Sequence, residues 1–131
     1  MCGYGHPCNP PAEMHMRCLI VDDSSHFREA ARATLGREGL TVVGLASNSA
    51  EAVSHIGELR PEVVLIDIDL NGESGFELAR MVSGADGPAV ILVSTYEQED
   101  YAELIEESPA LGFIPKSSLS ASAVRELVHA A

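Results

Sequence analysis

The chain predicts an α/β fold, a doubly wound parallel sheet in which five strands alternate with five helices. Three observations lead there. Five short runs rich in Val, Ile and Leu recur through residues 16–131, mostly unbroken by polar residues, as in parallel strands covered on both faces. Stretches with helical spacing separate the runs. Five such units fit into about 115 residues, which suits an open sheet and not a closed barrel.

The 131 residues bound the chain to one compact domain with a real core. Asp and Glu number 20 against 8 Lys and Arg, a formal charge of −12, while 46% of residues are apolar, so acidity does not signal disorder. A surface this negative argues against direct binding of nucleic acid or anionic membrane. Lys116 is the only lysine. No apolar run reaches the roughly 18–20 residues of a membrane helix, and the N-terminus lacks the basic and apolar regions of a signal peptide. A cytoplasmic location is expected.

Residues 1–15 carry Gly, Pro and Asn without apolar periodicity and are expected to form a flexible extension. Cys2, His6 and Cys8 have no recognised metal-ligand spacing. The domain proper is expected over 16–131. Its strands are expected at Cys18–Val21, Thr41–Ala46, Val63–Ile66, Ala89–Val93 and Gly112–Ile114. Phe27, Ala30, Ala31, Thr34 and Leu35 give the first helix an apolar face. Asn48 and Glu51 form a capping-box-like start to the second, which Pro61 stops. Phe76, Ala79 and Met81–Val82 mark the third, Ala102 with Leu104–Ile105 the fourth, and Val124, Leu127 and Val128 the fifth.

Chemistry gathers where the strands end. The first strand runs into Asp22 and Asp23, the third into Asp67 with Asp69 two residues on, the fourth into Ser94 and Thr95, and the fifth through Pro115 into Lys116. In a parallel sheet these C-terminal ends share one edge, where such folds bind ligands. Converging carboxylates repel unless protonated or neutralised by a cation. Oxygen donors without His or Cys suit Mg²⁺ over Zn²⁺. A lysine ammonium and a hydroxyl beside them are complementary to a phosphoryl group. One carboxylate, with Asp67 the natural candidate, would then be the nucleophile that forms an aspartyl phosphate.

The segments LIVDD at 19–23, VVLIDIDLNGESG at 63–75, VILVST at 90–95 and GFIPK at 112–116 resemble, in order, those of the receiver domains of two-component response regulators. The resemblance implies a flavodoxin-like sheet of order 2-1-3-4-5. It also implies a signalling phosphoacceptor, not an enzyme with a substrate of its own, that assists its own phosphorylation and dephosphorylation. Asp67 matches the residue phosphorylated by a histidine kinase or histidine phosphotransfer protein. Asp23 matches a direct Mg²⁺ ligand and Asp22 a second acid acting through water. Asp69 matches the position whose backbone carbonyl completes the metal site. Ser94 and Lys116 match the hydroxyl and the ammonium that bind the phosphoryl group, and Phe113 matches the aromatic switch that follows Ser94.

Five positions depart from the family pattern, among them Asp69, which is expected to put an extra carboxylate beside the phosphoryl site and so to slow or redirect water attack. Asn71 stands where Pro is usual, implying a less rigid loop, and Ser74 replaces a frequent Asp. Thr95 sits where a small residue is common. Ser117 follows the lysine in place of Pro, so no cis peptide is expected there.

The fourth-helix region, with Glu97, Glu99, Asp100, Glu103, Glu106 and Glu107 and no base, belongs to the face through which many relatives dimerise or meet effectors. Arg125 is the candidate to offset that charge. Two alternatives remain. One is a receiver-like module that binds partners without phosphorylation. The other is a haloacid-dehalogenase-type phosphatase using Asp67-Ile68-Asp69, disfavoured because the acidic pair Asp22-Asp23 precedes that motif. The chain stops where the fifth helix should finish, so either a stand-alone regulator or a receiver cut from a longer protein is expected, and GFIPKSSLSA resembles receivers that precede helix-turn-helix, DNA-binding outputs.

Overall fold

The computed structural model describes residues 16–95 and 98–130. The proposed extension at 1–15, with Cys2, His6 and Cys8, and Glu97 of the acidic run lie outside them. Strands β1 (Arg17–Val21), β2 (Thr41–Ala46), β3 (Val63–Asp67), β4 (Ala89–Ser94) and β5 (Gly112–Pro115) pair in parallel in the order β2-β1-β3-β4-β5. Helices α1 (Ser25–Arg37), α2 (Ser49–Leu59), α3 (Gly75–Val82), α4 (Ala102–Glu107) and α5 (Ala121–Ala130) connect or follow them. The flavodoxin-like fold expected from the sequence is present.

The unbroken apolar runs reflect two cores, one on each face of the sheet. Leu19, Val21, Val64, Ile66 and Leu92 point to one side, where Ala52 of α2, Phe76, Leu78 and Ala79 of α3 and Ile105 of α4 cover them. Cys18, Ile20, Val63, Leu65, Ile91 and Val93 point to the other, under Ala31 and Leu35 of α1 and Ala121 and Val124 of α5. Alternate residues over 18–21, 63–66 and 90–93 thus serve different layers, and these stretches leave no position for a polar side chain. Burial pushes the Cys18 thiol up to about 12, so at neutral pH it is a packing group and not a thiolate ligand.

Helix termini follow local chemistry. Asn48 Oδ1 accepts the Glu51 N–H at 2.8 Å, as a cap should. The Glu51 carboxylate reaches one residue further back than a capping box requires, accepting the N–H and hydroxyl of Ser47 at 2.7 and 2.8 Å. Arg60 closes α2 in the left-handed region, φ 48°, directly before Pro61. Helix α4 is short because its N-cap, Tyr101, makes no side-chain cap bond and Ser108 already leaves helical geometry.

Candidate functional site at the C-terminal edge of the sheet

Strand register assembles this edge. Val21 pairs with Ile66, Ile66 with Leu92 and Leu92 with Phe113, one row across β1, β3, β4 and β5. The next residues outward are Asp22 and Asp67. One step further, Ser94 pairs with Pro115, which delivers Lys116. A slip of one residue in any pairing would break the set.

Asp22 is fully buried and fixed along its length. Its N–H donates to Ala46 O at 3.0 Å, its Oδ1 accepts the Ser24 N–H at 2.9 Å, and its carbonyl accepts Arg28 Nη1 at 2.6 Å. Asp23 is exposed, whereas Asp67 is 5% exposed. Asp67 Oδ1 accepts the Asp69 N–H at 3.2 Å and its Oδ2 accepts Lys116 Nζ at 3.3 Å. Lys116 Nζ stands closer to Asp22 Oδ2, at 2.7 Å, as an ion pair. Burial, reinforced by the Asp22 charge, lifts the Asp67 carboxyl to about 6 despite the Asp69 N–H and Lys116. Burial alone would lower the Lys116 ammonium, but Asp22 and Asp67 outweigh it and the net shift is upward.

One oxygen each from Asp22, Asp23 and Asp67 lies within 4.8 Å of the others. Three carboxylates face one ammonium here, and the exposed Asp23 marks the solvent side. An all-oxygen set with excess negative charge and a wet rim fits Mg²⁺, which keeps several waters. Asp69 contributes differently from the other three: its carboxylate is exposed and stands outside that group, and its N–H orients Asp67.

Ser94 is 1% exposed at the end of β4, and Thr95 beyond it is exposed. Phe113, 8% exposed, packs in the core layer of α2, α3 and α4. No cis peptide occurs among the described residues, as expected after Lys116. Arg125 does not line the cleft between β5 and α5, which is formed on the helix side by Ala123, Glu126, Leu127 and Ala130.

The loop after Asp67 differs from the loosened one expected for Asn71. Asn71 and Gly72 both have positive φ, 51° and 95°, and Leu70 and Glu73 exchange backbone hydrogen bonds at 3.0 and 3.3 Å. Asp69 and Ser74 form an antiparallel bridge beneath them. This is a two-residue hairpin turn, for which Asn-Gly is the favoured pair and which Pro, with φ near −65°, could not enter. Glu73 ties the turn to α2 by accepting the Ser49 N–H at 2.9 Å.

Gly75, where α3 begins, is set by close approach. A Cβ there would overlap Asp67 O and stand 2.7 Å from Ile68 Cα, both backbone atoms. Gly75→Ala is therefore expected to displace the Asp67 segment and cost about 2–3 kcal/mol, measurable by urea unfolding.

The sequence profile described as the response regulator receiver domain matches residues 18–129. The chain belongs to the response regulator receiver domain family. An uncharacterised response regulatory protein of Yersinia pestis is 35% identical over 102 residues, covering 77% of this chain and 42% of that protein. A protein-glutamate methylesterase/protein-glutamine glutaminase of Bacillus licheniformis is 34% identical over 110 residues, 82% of this chain and 31% of the enzyme. The receiver domain thus spans less than half the length of these curated relatives. Among solved structures, the response regulator domain of Thermotoga maritima CheB superposes with a TM-score of 0.71 at 29% identity, covering 89% of this chain and 96% of that one. Among the described residues, no helix is long and apolar enough to cross a membrane.

Two contacts of the receiver site escaped sequence reasoning. The Lys116 ammonium lies over the Phe27 ring, 4.4 Å from its centroid, and Arg28 anchors the Asp22 carbonyl. Phe27 had a signal only as one more apolar residue of the α1 face. The position of Arg28, five residues beyond Asp23, gave none.

Proposed function

We propose that residues 16–131 form a phosphoacceptor receiver domain in which Asp67 takes a phosphoryl group from the phosphohistidine of a histidine kinase or phosphotransfer protein. The observation that carries this is the meeting of the Asp22, Asp23 and Asp67 carboxylates with Lys116 at one sheet edge. An Asp67 oxygen attacks phosphorus, a P–O bond forms as the P–N bond to histidine breaks, and the histidine ring keeps the electron pair. Asp22, Asp23 and Asp67, with the backbone carbonyl of Asp69, would hold Mg²⁺, which when bound offsets the charge of carboxylates and phosphoryl oxygens together.

The protein's own part is positioning. The Asp69 N–H holds Asp67 Oδ1, which leaves Oδ2 toward Lys116. Lys116 supplies the cation for a phosphoryl oxygen and Ser94 the hydroxyl. Movement of Ser94 and Phe113 then alters the face of α4, β5 and α5. That face exposes Glu99, Glu103, Glu106 and Glu107 around Leu104, which is 44% exposed. It would meet an effector or a second copy, without direct nucleic-acid or membrane contact, in the cytoplasm.

Incubation with acetyl phosphate and Mg²⁺, read by intact mass, tests the proposal. One phosphoryl adduct that requires Mg²⁺ is expected. Absence of any adduct, with acetyl phosphate and with a competent histidine kinase, would leave the chain a binding module that acts unphosphorylated.

A further inference from the structure

Four contacts close a ring around Lys116. Asp22 Oδ1 accepts the Ser24 N–H at 2.9 Å, and Ser24 Oγ, the N-cap of α1, accepts the Phe27 N–H at 3.2 Å. The Phe27 ring then lies 4.4 Å from Lys116 Nζ, which returns to Asp22 Oδ2 at 2.7 Å. One capping motif therefore sets both the carboxylate and the aromatic face that reach the lysine. Arg28, bound to Asp22 O at 2.6 Å, fixes the same turn.

The two supports differ in kind. A carboxylate takes up an N–H of the ammonium and competes with any incoming phosphoryl oxygen for it. An aromatic face attracts the cation through its quadrupole and occupies no directed acceptor site. The Lys116 side chain is 15% exposed, so little water intervenes. When Asp22 turns its charge to another cation, the lysine must leave it, and a four-carbon stem has many other places to go. The ring remains.

We infer that Phe27 is a positioning residue for phosphoryl transfer, holding the Lys116 ammonium beside Asp67 without consuming its hydrogen bonds. The role rests on the phosphoacceptor reading, whereas the contact itself does not. Leucine at 27 would keep apolar volume and lose the quadrupole. Tyrosine would keep both.

Because Lys116 is the only lysine in the chain, ¹³C-lysine labelling gives one side-chain spin system. Its Hε protons should lie upfield of their free-peptide position through the ring current of Phe27. Phe27→Leu should remove that displacement and slow phosphorylation by acetyl phosphate about threefold to tenfold, with Mg²⁺ affinity unchanged, while Phe27→Tyr retains both shift and rate. An unshifted Lys116 in the unaltered protein would overturn the contact. A Leu variant that phosphorylates at the original rate, or a Tyr variant as slow as Leu, would overturn the role. Failure of the unaltered protein to phosphorylate would remove the phosphoacceptor reading and this role with it, and the lysine spectrum would still decide the contact.

Discussion

Asp67→Asn is expected to melt above the unaltered protein at pH 7 without divalent cations, and to take up no phosphoryl group at all. The reason is the environment of the carboxyl. Burial and the neighbouring Asp22 raise it from an ordinary 3.8 to about 6 in the folded chain. A carboxyl raised on folding binds its proton more tightly in the native state. The folded state therefore bears no penalty below about pH 4, loses stability as pH rises from there through 6, and stays penalised above. Asparagine keeps the shape and removes the charge, which should recover on the order of 2 kcal/mol at pH 7, or about 5–10 °C in melting temperature. The gain should vanish near pH 4. Mg²⁺ should also narrow it, by stabilising the unaltered protein more than the variant. Thermal melts at pH 4 and pH 7, with and without Mg²⁺, check all of this.

Lys116→Met is expected to do the opposite in the metal-free protein. Asp22 is fully buried, and Lys116 is the cation paired with both it and Asp67 among the described residues. Methionine fills much of the same space but leaves two neighbouring carboxylates without a counter-charge. Breaking a buried pair from one side costs about 3–5 kcal/mol. Because the acids can protonate to relieve the strain, the loss at pH 7 should shrink toward pH 4. Urea unfolding at the two pH values measures it. Phosphorylation should slow by at least about a hundredfold, since the cation aimed at the phosphoryl oxygens is gone. The combination matters. A variant merely destabilised would regain its phosphorylation rate when Mg²⁺ stabilises the fold, and this one should not.

Much of this site could be read in the sequence because strand ends are punctuated by chemistry. Asp22, Asp67 and Lys116 each follow an apolar run, and parallel pairing sends all such ends to one edge. What could not be read were choices that depend on distances between elements. Lys116 stands nearer Asp22 than Asp67, which follows from where the β5–α5 connection meets α1. Phe27 sits at an apolar position of α1, and only the packing of that helix places its ring under the lysine. Against the family's Pro, Asn71 alone implies a loss of rigidity. The Asn-Gly pair carried its own signal, a tight hairpin turn, which depends on local φ and not on kinship. Asp69 lies in the loop beyond β3, where its carboxylate is exposed and outside the group of Asp22, Asp23 and Asp67, and the backbone role that the family resemblance implies for it does not depend on that carboxylate.

The identity of the phosphorylated side chain tests the account most directly. Borohydride reduces an acyl phosphate to the alcohol, so the phosphorylated aspartate becomes homoserine and peptide mass spectrometry reads its position. After phosphorylation with acetyl phosphate and Mg²⁺, homoserine is expected at position 67 and at no other aspartate. Homoserine at 22, 23 or 69 with none at 67, or a phosphoryl group on serine, threonine or histidine, would contradict it.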